Sequence, residues 1–85
     1  MRISYSRNFL KKSKKLDKKI RDKIPGRIEL FSEDPFNPEL NNHPLKGKYK
    51  DYRSINITGD FRALYLTYDD LIVFDIVNTH SELYG

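Results

Sequence analysis

The spacing of apolar residues changes midway along the chain, and this change constrains the fold more than any other feature. Before Asp34, apolar residues recur every three or four positions, at Leu16, Ile20, Ile24, Ile28 and Phe31. This spacing predicts one apolar stripe along helical structure. After Gly47 the period falls to two, as in β-strands. The change predicts an α+β protein in which helices pack on one face of a small sheet.

The N-terminal part of the chain is predicted to form a short strand followed by helices. Apolar and polar residues alternate from Arg2 to Ser6, which indicates a strand, and Ser6 can act as the N-cap of the next helix. A break between Leu10 and Asp17 would give a helical hairpin. Pro25-Gly26 interrupts the apolar stripe without shifting its phase, which predicts either one kinked helix or two nearly collinear helices.

The C-terminal part of the chain is predicted to contain three strands and a final helical turn. After an irregular connection rich in Asn and Pro, the strands are Lys48 to Thr58, Phe61 to Tyr68 and Leu71 to Val77. The third strand is nearly all apolar, so we expect it to be central. Thr79 and Glu82 have the spacing of a capping box, which predicts a short terminal helix.

The predicted fold is therefore β-α-α-β-β-β, with two N-terminal helices on a mainly antiparallel, four-stranded sheet. We expect residues 1–85 to form a single domain, because the chain is too short for a second domain of ordinary size. The longest uninterrupted apolar run, Leu71 to Phe74, is far too short to cross a membrane. No signal peptide is recognisable either, so we expect a soluble cytoplasmic protein with no membrane partner.

Charge is distributed unevenly along the chain. The net charge is +4, but residues 1–31 contain 11 basic and 3 acidic residues, a local charge of +8, and the remainder is −4. A basic segment of this kind attracts phosphate backbones or acidic proteins. The lysine run from Lys11 to Lys19 is compatible with such a contact and with an ordinary solvated helix face. The absence of cysteine excludes disulfides, a thiolate nucleophile and thiolate-bound zinc.

Two groups of polar residues are candidates for chemistry. Lys48, Lys50 and Asn56 fall on one side of the first predicted C-terminal strand, interrupted only by Tyr52. That pattern suits a phosphate-binding surface with a stacking ring, and it equally suits a solvated strand face. The two histidines, His43 and His80, could serve as acid and base because histidine titrates near neutral pH. With no third ligand, we expect no metal site.

Four segments of the sequence carry a resemblance to a known family. They are His43-Pro44-Leu45-Lys46-Gly47-Lys48, Tyr52-Arg53, Gly59-Asp60-Phe61-Arg62-Ala63-Leu64-Tyr65 and Thr79-His80-Ser81-Glu82-Leu83-Tyr84. In order and spacing the chain resembles the RelE superfamily of toxins, and its YafQ branch most closely. The resemblance implies a RelE-like toxin domain, the toxin half of a type II toxin–antitoxin pair. It also implies a ribosome-dependent mRNA endonuclease that uses no metal or cofactor.

The resemblance implies a mechanism and a set of site residues. The mRNA 2′-hydroxyl would attack its own 3′-phosphate, which requires a base, an acid and cations around the phosphate. The implied catalytic residues are His43, Asp60, Arg62 and His80. With the polar strand side added, the predicted RNA-binding residues are Lys46, Lys48, Lys50, Arg53, Asn56, Phe61 and Tyr84. Asn56 and Ile76 stand where YafQ-like toxins have a histidine and an arginine, so at most two histidines share proton transfer.

The implied partners are a cognate antitoxin, the ribosome and mRNA. The basic N-terminal segment would contact the ribosome or an acidic part of the antitoxin. Two other functions remain open at this point. One is a non-catalytic toxin of the same fold, which blocks the ribosome or, like the ParE branch, inhibits DNA gyrase. The other is a degenerate toxin retained only as the partner of its antitoxin.

Overall fold

The computed structural model describes residues 1–84 and has one mixed β-sheet. The strands are β1 (Arg2–Tyr5), β2 (His43–Pro44), β3 (Arg53–Asn56), β4 (Phe61–Tyr68) and β5 (Leu71–Thr79). The helices are α1 (Arg7–Lys15), α2 (Lys18–Arg21), α3 (Ile24–Glu33) and α4 (His80–Tyr84). Short 3₁₀ turns lie at Pro38–Leu40 and Gly47–Tyr49. Among residues 1–84, no helix combines the length and the apolar character needed to cross a membrane.

The sheet has the strand order β1-β5-β4-β3-β2, with β1 parallel to β5 and the other neighbours antiparallel. The α+β class is confirmed, but the predicted count of four strands is wrong. The additional strand is β2, which pairs His43 with Ser54 and Pro44 with Arg53. Two residues are too few to produce a detectable period, and proline is depleted in strands. The nearly all-apolar segment Leu71 to Val77 lies in β5, which is an interior strand between β1 and β4, as predicted.

The predicted break in the N-terminal helical region is confirmed, because α1 ends at Lys15 and α2 begins at Lys18. Ser6 caps α1, and its Oγ accepts a hydrogen bond from the backbone N–H of Phe9 at 3.1 Å. The region contains three helices rather than two, since α2 and α3 are separate. Pro25 lies in the first turn of α3, where its missing N–H removes no helical hydrogen bond.

The first C-terminal strand is shorter than predicted. The sequence indicates Lys48 to Thr58, whereas β3 spans only Arg53–Asn56. A 3₁₀ turn replaces the first part, and it begins at Gly47 with a φ of 66°. Glycine adopts this left-handed conformation without the steric cost that a side chain would add. Alternation of residue types therefore predicted a strand where the backbone turns. β4 has the predicted bounds, and β5 extends two residues beyond them.

The main core lies between the helices and one face of the sheet. Phe74 of β5 is fully buried at its centre, and four aromatic rings lie within 6.2 Å of its ring centroid: Tyr5, Phe9, Phe31 and Tyr65. The stripe residues Ile24, Ile28 and Phe31 are buried in the same cluster. We call this side of the sheet the helix face. The opposite side is the open face, and the helices of the hairpin do not cover it.

Candidate active site

A pocket of about 350 Å³ lies on the open face. Its lining residues are Asn41, His43, Pro44, Leu45, Lys46, Arg62, His80 and Tyr84. They come from β2 and the loop around it, from the start of β4 and from α4. The pocket therefore brings together both histidines of the chain, a strand arginine and a terminal aromatic residue, all of which are predicted site residues.

His43 reaches the pocket because the chain turns sharply just before β2. Asn41 has a φ of 47°, and asparagine tolerates this left-handed conformation better than most residues. The carbonyl oxygen of Asn41 lies 2.7 Å from Nδ1 of His43. Since a carbonyl can only accept, Nδ1 carries the proton when the ring is neutral. Nε2 of neutral His43 then holds a lone pair that can accept a proton.

His80 is the first residue of α4, and the predicted capping box before it is confirmed. The backbone N–H of Glu82 donates to Oγ1 of Thr79 at 3.1 Å, and the N–H of Thr79 donates to Oε1 of Glu82 at 3.3 Å. The Thr79 hydroxyl also donates to Oε1 of Glu82 at 2.9 Å. This hydrogen bond, followed by the one from the Thr79 N–H, holds the pKa of Glu82 below its usual value. The backbone N–H of His80 also donates to the carbonyl of Asp60 at 2.9 Å. The position of His80 is thus fixed by the capping box around it and by the hydrogen bond to Asp60.

The His80 ring lies beside the Tyr84 ring, one turn along α4, at a centroid separation of 4.6 Å. Helix residues four apart face the same side, so the short helix presents both rings together. Lys12 of α1 lies 3.9 Å from the Glu82 carboxylate and links α4 to the helical hairpin. The C-terminal helix therefore carries two pocket residues on a base that is fixed to the rest of the fold.

Arg62 provides the positive charge of the pocket from the start of β4. Its Nη1 donates to the carbonyl of Thr58 at 3.2 Å and to that of Gly59 at 2.9 Å. Both acceptors belong to the turn between β3 and β4, so the turn fixes the guanidinium. No hydrogen bond within residues 1–84 uses its other two nitrogens, which are available to an anion.

Asn56 is directly opposite Arg62 across β3 and β4, and it therefore shares the open face. Its Oδ1 is buried and has no hydrogen-bond partner within the described residues. Lys48 and Lys50 are exposed at the 3₁₀ turn rather than on a strand, so they do not line the pocket. Lys46 does line it.

Three other predicted site residues lie apart from the pocket. Arg53 belongs to the helix-face network, where its Nε donates to Oδ1 of Asn42 at 2.9 Å. The Phe61 ring packs against the main core. Asp60 is exposed in the turn before β4, and its carbonyl rather than its carboxylate supports His80. The pocket thus unites His43, Arg62, His80, Tyr84 and Lys46, but not these three.

Three pocket residues were not predicted as site residues from the sequence. Asn41, Pro44 and Leu45 lie in the irregular connection, where no period marks which side chains share a site. The tendency of asparagine to adopt left-handed backbone was the one signal for Asn41. Among the described residues, no group of three His, Cys, Asp or Glu side chains is arranged to hold a metal ion.

Comparison with known proteins assigns the family. The profile of the family described as "Bacterial toxin of type II toxin-antitoxin system, YafQ" matches residues 1–85. This chain belongs to the YafQ toxin family. The match covers the whole chain, so every residue of the pocket lies within the region that defines the family.

Individual members of the YafQ family agree with this assignment. The mRNA interferase toxin YafQ of Escherichia coli strain K12 is 30% identical over 87 residues, which cover 98% of this chain and 95% of the relative. The crystal structure of YafQ from E. coli strain BL21(DE3) superposes with a TM-score of 0.81 at 28% identity, with both chains fully covered. YafQ in the E. coli DinJ–YafQ toxin–antitoxin complex gives a TM-score of 0.73 at 27% identity, covering 98% of this chain and 96% of that one.

Proposed function

We propose that this YafQ-family chain is an mRNA interferase, a ribosome-dependent endoribonuclease that stops translation by cutting mRNA. The observation that carries the proposal is the pocket that collects His43, Arg62 and His80 on the open face. Two imidazoles and a guanidinium are the groups that internal transesterification of RNA requires. The name of the E. coli relative, an mRNA interferase toxin, supports the same reaction.

The reaction proceeds in one displacement at phosphorus. Nε2 of His43 takes the proton of the 2′-hydroxyl, and the freed oxygen forms a bond to the adjacent phosphorus. The bond from phosphorus to the 5′-oxygen breaks, and protonated His80 delivers its proton to that oxygen. Arg62 balances the negative charge that develops on the phosphate. The products are a 2′,3′-cyclic phosphate and a free 5′-hydroxyl, and the mechanism uses side chains alone.

The assignment of base and acid can be tested separately. His43→Ala and His80→Ala should each slow cleavage of ribosome-bound mRNA by about 10²- to 10⁴-fold. A substrate with sulfur in place of the 5′-bridging oxygen has a leaving group that needs no acid. On this substrate His80→Ala should recover most of its rate, whereas His43→Ala should not.

Several outcomes would contradict this proposal. Recovery by His43→Ala instead of His80→Ala would reverse the two roles. Unchanged rates in both variants would exclude the pocket as the active site. Translation arrest by the wild type without any 2′,3′-cyclic phosphate would show that the toxin acts by binding alone.

The partner of this toxin is a cognate antitoxin that covers its basic surface. The E. coli relative forms a complex with the antitoxin DinJ, and residues 1–31 of this chain carry a charge of +8. Exposed charges are screened over about 10 Å at 0.1 M salt, so antitoxin affinity should fall as salt rises. Titration of the two proteins by calorimetry at increasing salt measures this, and an affinity that ignores salt would contradict an electrostatic interface.

A further inference from the structure

A second region of the open face carries tyrosines that the proposed mechanism does not use. The rings of Tyr49 and Tyr52 make an edge-to-face contact at a centroid distance of 6.0 Å, and Nζ of Lys48 lies 5.2 Å from the Tyr49 ring centroid. Tyr68, at the end of β4, is 56% exposed. Aromatic rings and a lysine ammonium thus share one surface. We call Tyr49 and Tyr52 the tyrosine pair.

Tyr52 is held in place by an irregularity in the central strand. Leu64 pairs with Ile76 and Tyr65 with Phe74, so Asp75 is an extra residue in β5 and forms a bulge. The Tyr52 hydroxyl donates to Oδ2 of Asp75 at 2.6 Å. This hydrogen bond, burial and nearby negative charge raise the pKa of Tyr52 to about 12. The hydroxyl therefore stays protonated and the ring stays anchored.

The bulge itself is braced from the end of β1, the strand beside β5 in the sheet. Oγ of Ser6, the cap of α1, donates to the carbonyl of Asp75 at 3.1 Å. Ser6 and Asp75 are far apart in sequence, so the arrangement exists only in the folded chain. A ring fixed in this way loses little conformational entropy when a ligand packs on it, which favours binding.

The tyrosine pair is directly connected to the catalytic pocket. The backbone N–H of Leu45 donates to the carbonyl of Tyr52 at 3.2 Å, and the N–H of Tyr49 donates to the carbonyl of Lys46 at 3.3 Å. Leu45 and Lys46 both line the pocket. An RNA strand that leaves the pocket along this side would therefore meet the tyrosine pair next.

We propose that the tyrosine pair is a stacking platform for an mRNA base outside the catalytic pocket, with Lys48 and Lys50 holding the neighbouring phosphates. The inference rests on the proposed function, since it extends the path of the same RNA. Residues 46–52 contain three lysines and a single acidic residue, a net charge of +2. Rings interleaved with cations suit single-stranded RNA, which offers a flat base and a phosphate at every step. The buried centre of a protein–protein interface is more apolar and is depleted in lysine.

The test measures binding and cleavage separately. Binding uses ribosomes that carry an mRNA with a 2′-deoxy sugar at the scissile position, which cannot be cut. Tyr52→Leu and Tyr49→Leu should each weaken binding by roughly 5- to 150-fold, the range expected from loss of one base–aromatic stack. Tyr52→Phe keeps the ring and should bind within about threefold of the wild type. On cleavable mRNA, the leucine variants should raise KM and retain kcat.

An abasic scan identifies the base that stacks. One abasic substitution near the scissile position should weaken wild-type binding as much as Tyr52→Leu does, and the two changes together should cost no more than either alone. The matched control is Phe36→Leu, which removes another exposed ring, 67% accessible, on the helix side of the molecule. It should leave binding unchanged. Thermal unfolding of each variant verifies that it is folded.

The outcomes separate the platform from the proposed function. If the wild type binds the uncleavable mRNA but never cuts ordinary mRNA, the catalytic proposal fails. Binding of that mRNA by the leucine variants still tests the stacking platform. If the leucine variants bind as tightly as the wild type, or if they weaken only the affinity for the antitoxin, the platform proposal is wrong. Weak binding by Tyr52→Phe equal to that of Tyr52→Leu would assign the effect to the Asp75 hydrogen bond instead of stacking, and would also overturn it.

Discussion

The two faces of the sheet are built from the same strands but have opposite properties. On the helix face, Phe74 and its neighbours form a closed aromatic core with almost no contact with solvent. On the open face, the same strands carry Arg62, which lines the pocket, and Asn56, which pairs with Arg62. Buried polar atoms without a partner in residues 1–84, Oγ of Ser54 and Oδ1 of Asn56, both belong to open-face positions of β3.

This difference indicates that the helix face stabilises the fold and that the open face carries the activity. Apolar burial supplies most of the stability of a small domain, so the helix face holds the chain together. Polar groups that lack partners cost stability, and natural proteins keep them mainly at functional sites. Substitutions on the helix face should therefore affect unfolding, and substitutions on the open face should affect activity. The predictions below test that separation.

The largest effect is expected at the centre of the helix face. Phe74→Ala should lower the free energy of unfolding by about 3 to 5 kcal/mol, because it removes a buried ring and leaves a cavity among four others. Denaturant unfolding followed by circular dichroism measures the loss. Val73→Ala, the adjacent half-buried position on the open face, is the control and should cost clearly less. Equal losses would show that both faces stabilise the fold alike.

Two arginines on opposite faces give the sharpest contrast. Arg62→Ala should lower kcat by about 10²- to 10³-fold and leave unfolding nearly unchanged. Arg53→Ala should leave kcat intact but lower the free energy of unfolding by about 1 to 3 kcal/mol, because Asn42 loses its charged partner. Cleavage assays and denaturant unfolding on both variants give the comparison. A loss of kcat in Arg53→Ala would contradict a purely structural role and would support the RNA-binding role that the sequence predicts.

The capping box of α4 is expected to affect both the stability of the fold and the rate of cleavage. Thr79→Ala removes the hydroxyl that accepts the Glu82 N–H, and it should destabilise α4 by about 0.5 to 2 kcal/mol. Because α4 carries His80, cleavage should slow as well. Thr79→Ser keeps the hydroxyl and should restore both cleavage and α4 amide protection from hydrogen exchange. Full cleavage by Thr79→Ala would mean that the cap does not position His80.

A smaller effect is expected from the Tyr52–Asp75 hydrogen bond at high pH. The pKa of Tyr52 is raised from 10.0 to about 12 in the folded chain, so the unfolded chain loses this proton first as pH rises. The stabilisation is complete below pH 10 and is lost between pH 10 and pH 12. The free energy of unfolding should therefore fall over that range more steeply in the wild type than in Tyr52→Phe. Equal slopes in the two proteins would contradict the assignment.

The smallest change is expected at Ser54. Its side chain is fully buried without a hydrogen-bond partner in the described part of the chain. Ser54→Ala removes a desolvated hydroxyl that makes no bond, so the free energy of unfolding should stay equal or rise by up to about 1 kcal/mol. Denaturant unfolding detects this, and a clear loss of stability would mean that the hydroxyl has a partner in solution.

Local features of the fold could be predicted from the sequence. The Ser6 cap, the capping box of Thr79 and Glu82, the bounds of β4 and the apolar stripe of the helices are all present. Each depends on residues within one helical turn or one strand, where spacing alone decides which side chains meet. The family resemblance added the candidate residues of the pocket, which no spacing rule could connect.

The features that required the tertiary structure all depend on contacts between distant segments. Strand β2 exists only because β3 is beside it, and Arg53 is held away from the pocket by a hydrogen bond to Asn42, 11 positions earlier in the chain. The Asp75 bulge is held by Ser6 across 69 positions of sequence. The amino-acid sequence by itself therefore determined the α+β class, the caps and the identity of the reactive side chains. Only the tertiary structure decided which of them share the open face, since packing and backbone pairing between remote segments set the side to which each residue points.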